Sequence, residues 1–414
     1  MLNLKKHRLR VSRAYIGIVG ILILCSLLPG CDDAPPPEID AIQTAINRSA
    51  EYLVDSTRDN GMFRYRINMD PAIEVPERYN ILRHAGTIYS MSMYYRLNPD
   101  PGVEVAIKRA GRYLRDEAVL PVSGKDGMLA VWSKPDVNKT GKPLQAKLGG
   151  TGLGLVALMG IETIHPGFTP LSELQALGRF IVYMQKPNGS FYSKYIPSSG
   201  GRWDEWQSLY YPGEAALGLL MLYHKDPSDV WAESAARALA YLARSRENET
   251  DVPADHWALL ATARLLALEQ SDGLPVSREL LINHAVQICD TMLRNQIDYP
   301  WSSRYNGGFS ADGRTTPTAT RLEGLQAALT FLPPDHATRE RIEAAVPRGI
   351  SFLLRTQVNE GEFIGAFPRA IGKIDAFIHN TDGFNRRVTE VRIDYVQHAL
   401  SALIQYLALV NDKP

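Results

Sequence analysis

Six apolar stretches of this chain each open with a few ionisable or hydroxylated side chains. Tyr79, Arg83 and His84 head the first, Thr151 the second, and Tyr210, Tyr211 and Glu214 the third. Asp255 and His256 head the fourth, Thr320, Arg321 and Glu323 the fifth, and Arg392, Asp394 and Tyr395 the sixth. His398 lies deeper along the sixth stretch and reads as structural. Other charges are few in these stretches, and their gathering toward one end is the main chemical signal. Arginines can neutralise an anion, a carboxylate or imidazole can move a proton, and a phenol can donate one. Each residue also has a plainer use. Asp255 and Asp394 fit helix N-caps, and Glu214, after Pro212-Gly213, fits a first-turn acid. Arg321 and Glu323 fit an internal ion pair, and His84 fits a satisfied core histidine. Arg83 beside His84 is harder to place that way, because two adjacent basic groups at the head of a buried helix are costly unless an anion or solvent meets them.

The segment 198–214, SSGGRWDEWQSLYYPGE, adds Trp203, Asp204 and Trp206. The indoles suit stacking on sugar faces, or a hydrophobic lid. Segments 304–316 and 377–394 are long connections on the same expected side, and such loops commonly wall a cleft.

The elements that must position these groups are legible as a repeat. Amphipathic segments end in Asn60-Gly61-Met62-Phe63, Asp126-Gly127, Gln185 with Asn188-Gly189-Ser190-Phe191, Gln296 with Gly307-Gly308-Phe309, and Gln357 with Gly361-Glu362-Phe363. A further copy, ALAYLARSRENETD, lacks the glycine and aromatic. Glycine supplies the positive φ that ends a helix, and the aromatic plugs the turn. A second segment, apolar all round and rich in Ala, Gly and Ser, follows each time. Pairing of this kind signals a repeat architecture, with amphipathic helices outside and apolar ones inside. Strand-like stretches are visible only near 190–210 and 360–380.

The repeated Gln…Asn/Asp-Gly-x-aromatic pattern resembles the repeats of the terpenoid cyclase and protein prenyltransferase superfamily. The same six-hairpin plan occurs in glycosidases, polysaccharide lyases and glucuronyl C5-epimerases. The resemblance covers about residues 40–410 and implies an all-α (α/α)6 toroid. Six outer and six inner helices would carry short β-hairpin or irregular loops at one mouth. The N-terminal ends of the inner helices, which favour anions, would gather there.

Absences narrow the chemistry. The chain has no DxDD acid motif, GCGEQ run, HExxH, Walker loop or Rossmann glycine set, so neither cofactor nor metal is expected. The run GGTGLG at 149–154 lacks the preceding strand and following lysine of a phosphate loop, and reads as close helix packing.

The 414 residues are 45% hydrophobic and 22% charged. Residues 1–30 hold five Lys/Arg and no acid, so the remainder carries 40 basic against 45 acidic residues. A mildly acidic body argues against a nucleic-acid partner. KKHRLRVSR, an apolar run from Ala14 to Leu28 and then Leu28-Pro29-Gly30-Cys31 resemble a bacterial lipoprotein signal. The expected division is a signal peptide at 1–30, a tether at 31–40 and one toroid at 41–414. Lipid on Cys31 would hold the body at a membrane on the periplasmic side, with Asp32 favouring the inner membrane. Cys25 falls in the signal, which leaves Cys289 without a disulfide partner.

Three readings follow. The first is proton abstraction next to a uronate carboxylate, as in a C5-epimerase or lyase. Arg83 or Arg321 would neutralise the carboxylate, Glu214 or His84 would be the base, and Tyr211 or Tyr395 the donor. The remaining polar and aromatic groups, Tyr79, Trp203, Trp206, Asp204, Tyr210, His256, Glu323 and Asp394, would bind the polysaccharide or oligosaccharide. The second is glycoside hydrolysis, with Glu214 as acid and Asp204 or Asp255 as base or nucleophile. The third is a non-catalytic glycan-binding lipoprotein.

Overall fold

Helix ends set the architecture, and they do so through one recurring turn. Gly189 and Gly307 have φ of 91° and 82°, a conformation that L side chains rarely adopt. A Cβ on either would strike a backbone carbonyl of the next outer helix, that of Arg237 or Arg348. Gln185 ties the same two elements together, its amide donating to the carbonyls of Gly189 and Ser234. Gln296 does the same with Gly307 and Ala345. Two residues after each glycine, Phe191 and Phe309 are buried. Burial of such a ring contributes roughly 2–3 kcal/mol. The turn therefore ends one outer helix and seats the following one.

The sixth copy is shifted from its expected place. Gln357 donates to Gly365 and Ala45, not to Gly361. Gly365 abuts the Arg48 carbonyl, whereas nothing lies near Gly361. The buried aromatic is Phe367, and Phe363 is only half-buried. The working motif is thus Gly-x-Phe at 61–63, 189–191, 307–309 and 365–367.

A computed structural model describes residues 36–268, 273, 275–298, 304–374 and 381–411. The expected signal peptide, Cys31 and Asp32 lie outside the described residues. Twelve long helices are present among them. The outer ones are α1 (Ile39–Asp55), α3 (Pro101–Arg112), α5 (Leu171–Tyr183), α7 (Asp229–Ser245), α9 (Arg278–Arg294) and α11 (Ala337–Thr356). The inner ones are α2 (Ile81–Leu97), α4 (Leu148–Glu162), α6 (Tyr211–Lys225), α8 (His256–Leu266), α10 (Thr315–Leu329) and α12 (Ile393–Asn411). Each inner helix packs on the next, and α12 returns to α2, so the ring closes as an (α/α)6 toroid. None of the described helices is long and apolar enough to cross a membrane.

Inner helices differ from outer ones as their composition predicts. Every residue of α4 is buried, whereas α1 buries one face. The glycine run 149–154 serves packing: a Cβ on Gly152 would meet the Glu214 backbone at 2.7 Å, so α4 and α6 lie nearly in backbone contact. Gly86 similarly leaves room for the Gln397 side chain, 2.7 Å from where its Cβ would stand.

The strands are more extensive than their sequence suggests. An antiparallel five-stranded sheet runs β2 (Val119–Pro121), β3 (Leu129–Ser133), β4 (Gln145–Lys147), β5 (Lys194–Ile196) and β6 (Gly201–Trp203). Its first three strands were not expected, because segments of three to five residues are too short to display a period of two. A second ribbon pairs β1 (Arg66–Asn68) with β7 (Glu390–Arg392), joining the first hairpin to the last. In the 360–380 region the described residues form only isolated bridges, Arg314 with Ala370 and Pro368 with Val391.

Candidate active site

At one mouth of the ring the inner-helix starts enclose a cleft of about 980 Å³. Arg83 of α2, Tyr211 and Glu214 of α6, His256 and Trp257 of α8, Arg321 of α10, and Asp394 and His398 of α12 all line it, with Tyr210 just before α6. Residues from five of the six inner helix starts thus converge as their positions imply.

Five buried polar atoms of residues on this wall have no hydrogen-bond partner among the described residues: Glu214 Oε2, Thr316 Oγ1, Arg321 Nε, and both ring nitrogens of His256. Buried polar groups are ordinarily satisfied, so their clustering points to a polar ligand. Burial, with Asp255 adding and Lys147 opposing, pushes the Glu214 carboxyl up to about 8. Glu214 is therefore a neutral acid at pH 7 and can donate a proton. Arg321 donates to the Pro317 carbonyl but has no carboxylate partner among the described residues, and burial lowers its pKa.

His256, Glu323 and His398 form a buried trio whose potential ligand atoms lie within 4.8 Å of one another. Glu323 Oε2 is 2.7 Å from His398 Nδ1 and 3.8 Å from His256 Nε2. The short contact ties His398 Nδ1 to the Glu323 carboxyl group, whose pKa burial raises with His398 opposing. That contact engages Nδ1, and Nε2 is the other ring nitrogen. Burial drives the His256 pKa well below its usual value, with His398 and Arg321 adding to the effect, so that imidazole is neutral. Trp257 and Tyr210 hold its ring, at centroid distances of 4.8 and 5.5 Å. These three residues are also the described group best arranged to hold a metal, although His398 and Glu323 already satisfy each other.

Asp394 is occupied differently. Arg392 grips both its oxygens at 2.5 and 2.9 Å, and Arg83 Nε lies 3.0 Å away. Burial would raise its pKa, but the two guanidiniums outweigh burial and hold it below the usual carboxylate range. Asp394 thereby fixes two arginines, and Arg83 also donates to Tyr65 at 2.5 Å.

Several expected site residues stand elsewhere. His84 is fully buried behind α2, between the Tyr79 hydroxyl at 2.7 Å and the Ala110 carbonyl at 2.9 Å. Burial takes its pKa down to about 4, and the Tyr79 hydroxyl also accepts from the Phe63 amide. Both stand away from the cleft, because the α2 start has only one face toward it, which Asn80, Leu82 and Arg83 supply. Asp255 is an N-cap accepting from the Ala258 amide, buried beside Arg246 at 3.5 Å. Burial raises its pKa to about 6, with Arg246 opposing. Glu323 lies behind the histidines and is not itself part of the wall. Tyr395 turns away to donate to Glu390. Asp204 pairs with Lys186 at 2.5 Å. Trp203 and Trp206 both cover the Lys194 ammonium, at 4.7 and 4.3 Å. Only Trp206 adjoins the cleft, through its contact with Tyr211.

His398 lines the cleft, although its depth along the sixth stretch suggests a structural place. Its position four residues after Asp394 on α12 was the available signal, since i and i+4 share a helix face. Trp257 was missed because an indole on an apolar helix looks like core.

No family model matches the chain, and no curated protein matches it by sequence. Solved structures do match in fold. Cellobiose 2-epimerase from Spirochaeta thermophila superposes with a TM-score of 0.64 at 13% identity, over 90% of this chain and 97% of that one. Cellobiose 2-epimerase from Bacillus thermoamylovorans gives 0.65 at 12%, over 90% and 99%. A mutant unsaturated glucuronyl hydrolase from Streptococcus agalactiae gives 0.53 at 13%, over 90% and 92%. By its closed double ring of helices and by these likenesses, the chain is an (α/α)6 toroid.

Proposed function

We propose that this protein is a carbohydrate-active enzyme that removes and returns a proton on a sugar carbon next to a carboxylate or carbonyl group. The observation that carries the reading is His256 and His398 on the cleft wall, with Glu323 behind them, beside Arg321, which has no carboxylate partner among the described residues. Loss of such a proton puts negative charge on the neighbouring oxygen, which a cation must stabilise. Arg321 is placed to do so. His398, held through Nδ1 by Glu323, is the base at Nε2, and neutral His256 exchanges a proton from a second inner helix. Glu214, protonated at pH 7, donates one hydrogen bond to the sugar. The cellobiose 2-epimerases that share the fold are compatible with proton transfer, and the unsaturated glucuronyl hydrolase that shares it keeps hydrolysis as the second reading. Proton transfer is favoured by the engagement of the other described carboxylates on the wall, Asp394 by two arginines and Asp298 by Arg348 at 3.0 Å. A uronate is the favoured substrate, because Arg321 suits a carboxylate.

The test is incubation of residues 34–414 with acidic and neutral oligosaccharides in deuterated water. Deuterium should enter a C–H bond without chain cleavage by hydrolysis, and His398→Ala should slow entry about 100-fold or more. Reducing ends without deuterium in the sugar would show hydrolysis and end this reading.

We also propose that Cys31 is lipidated and holds the toroid at a bacterial membrane, on the strength of the Leu28–Cys31 motif. Cell fractionation checks this: Cys31→Ala should move the protein from the membrane to the soluble fraction. An unchanged distribution would refute it.

A further inference from the structure

Beside the main cleft lies a second cavity of about 280 Å³ lined by Arg314, Arg369, Arg387 and Arg392, together with Tyr395. It shares Arg314, Thr316, Pro317 and Arg392 with the cleft, so the two adjoin. Four guanidiniums around so small a space repel one another unless anions intervene. Carboxylates meet three of them: Asp312 at Arg314, Glu390 at Arg387 and Asp394 at Arg392. Two of those acids are shared. Glu390 also lies 3.7 Å from Arg66, and Asp394 lies 3.0 Å from Arg83. Arg369 has no carboxylate partner among the described residues and rests over the Phe384 ring at 4.8 Å. The four arginines of the wall and the ion pairs behind them therefore set six arginines against three acids, in a body that is otherwise mildly acidic.

We propose that the arginine cavity is an anion subsite for a second charged unit of the same substrate chain. Its occupant is a carboxylate or sulfate group on a sugar adjoining the one held at Arg321. Arg369 supplies the planar fork that such oxygens accept from. The substrate class is then an oligosaccharide with charge on more than one unit. This deepens the proton-transfer reading by extending its substrate, and it rests on the cleft being a sugar site.

The test compares binding of hexasaccharides and single units by calorimetry. The probes are oligogalacturonate, oligomannuronate and hyaluronan hexamers, galacturonic and glucuronic acid, and uncharged cellohexaose, with inorganic sulfate as competitor. At least one charged hexamer should bind tenfold or more tighter than both the single units and cellohexaose, and sulfate should compete. Arg369→Gln should cut the hexamer-to-monomer affinity ratio about tenfold, and Arg369→Lys should cut it less. Thermal melting of each variant verifies folding. If no charged hexamer outbinds cellohexaose, or if folded Arg369→Gln keeps the ratio, the subsite is refuted. Deuterium exchange on the wild-type protein reports the proton-transfer reading separately. Exchange without an Arg369-dependent ratio sinks only the subsite, and the ratio without exchange sinks only the chemistry.

Discussion

Glu214 shows how much a single side chain's surroundings decide. On sequence it was an acid after Pro-Gly at a helix start, open to a purely electrostatic role. In the fold it is buried against α4, its Oε2 pressed toward Gly149. Burial raises its carboxyl from 4.5 to about 8. The sign for stability follows. Between those pH values the folded chain keeps a proton that the unfolded chain has released, so stability falls as pH rises from about 4.5 to about 8 and then levels off. The upper bound on that loss is about 5 kcal/mol at about 1.4 kcal/mol per pH unit, and water in the cleft reduces it. Glu214→Gln removes the titration while keeping the shape. The variant should melt with the wild type near pH 5 and several degrees above it at pH 8, read by calorimetry across that range. A melting difference that does not change with pH would contradict the buried neutral acid.

At the scale of elements, legibility tracked how local each signal is. Helix type was readable, because all-round apolarity and one-faced apolarity are patterns within a single segment. About half of the expected residues line the cleft, Arg83, Tyr210, Tyr211, Glu214, His256, Arg321 and Asp394 among them, since an inner helix exposes part of its first turn to the mouth. What the sequence withheld was rotation about the helix axis. Arg83 and His84 are adjacent, yet about 100° apart around α2, so one meets the cleft and the other packs toward α3 against the Ala110 carbonyl. Tyr395 parted from Asp394 in the same way. The trio of His256, Glu323 and His398 joins three helices that are far apart in the chain, and no spacing rule connects residues 256, 323 and 398. The sheet from β2 to β6 was hidden for a related reason: its order depends on loops from successive hairpins meeting at one mouth.

Ring closure is a property of the whole molecule, and one turn tests it. The Gly-x-Phe turn at 365–367 seats α1 against the end of α11, through the Gln357 amide on Ala45 and Gly365 beneath the Arg48 carbonyl. It joins the last outer helix to the first. Gly361, the glycine that the sequence pattern first suggests, has a comparable φ of 79° against 84° at Gly365. The two therefore share the backbone cost of a side chain in the left-handed region, about 1–2 kcal/mol. They differ in space, because a Cβ at Gly361 meets nothing and one at Gly365 collides with the Arg48 backbone. Gly361→Ala should lower stability by about 1 kcal/mol and leave amide exchange in α1 as it was. Gly365→Ala should cost at least about 3 kcal/mol, the backbone term plus displacement of a packed helix. It should also selectively raise amide exchange in α1, because the ring opens at its seam before it unfolds. Equal effects from the two substitutions would return the turn to Gly361 and leave the closure of the toroid to the β1–β7 ribbon and the packing of α12 on α2.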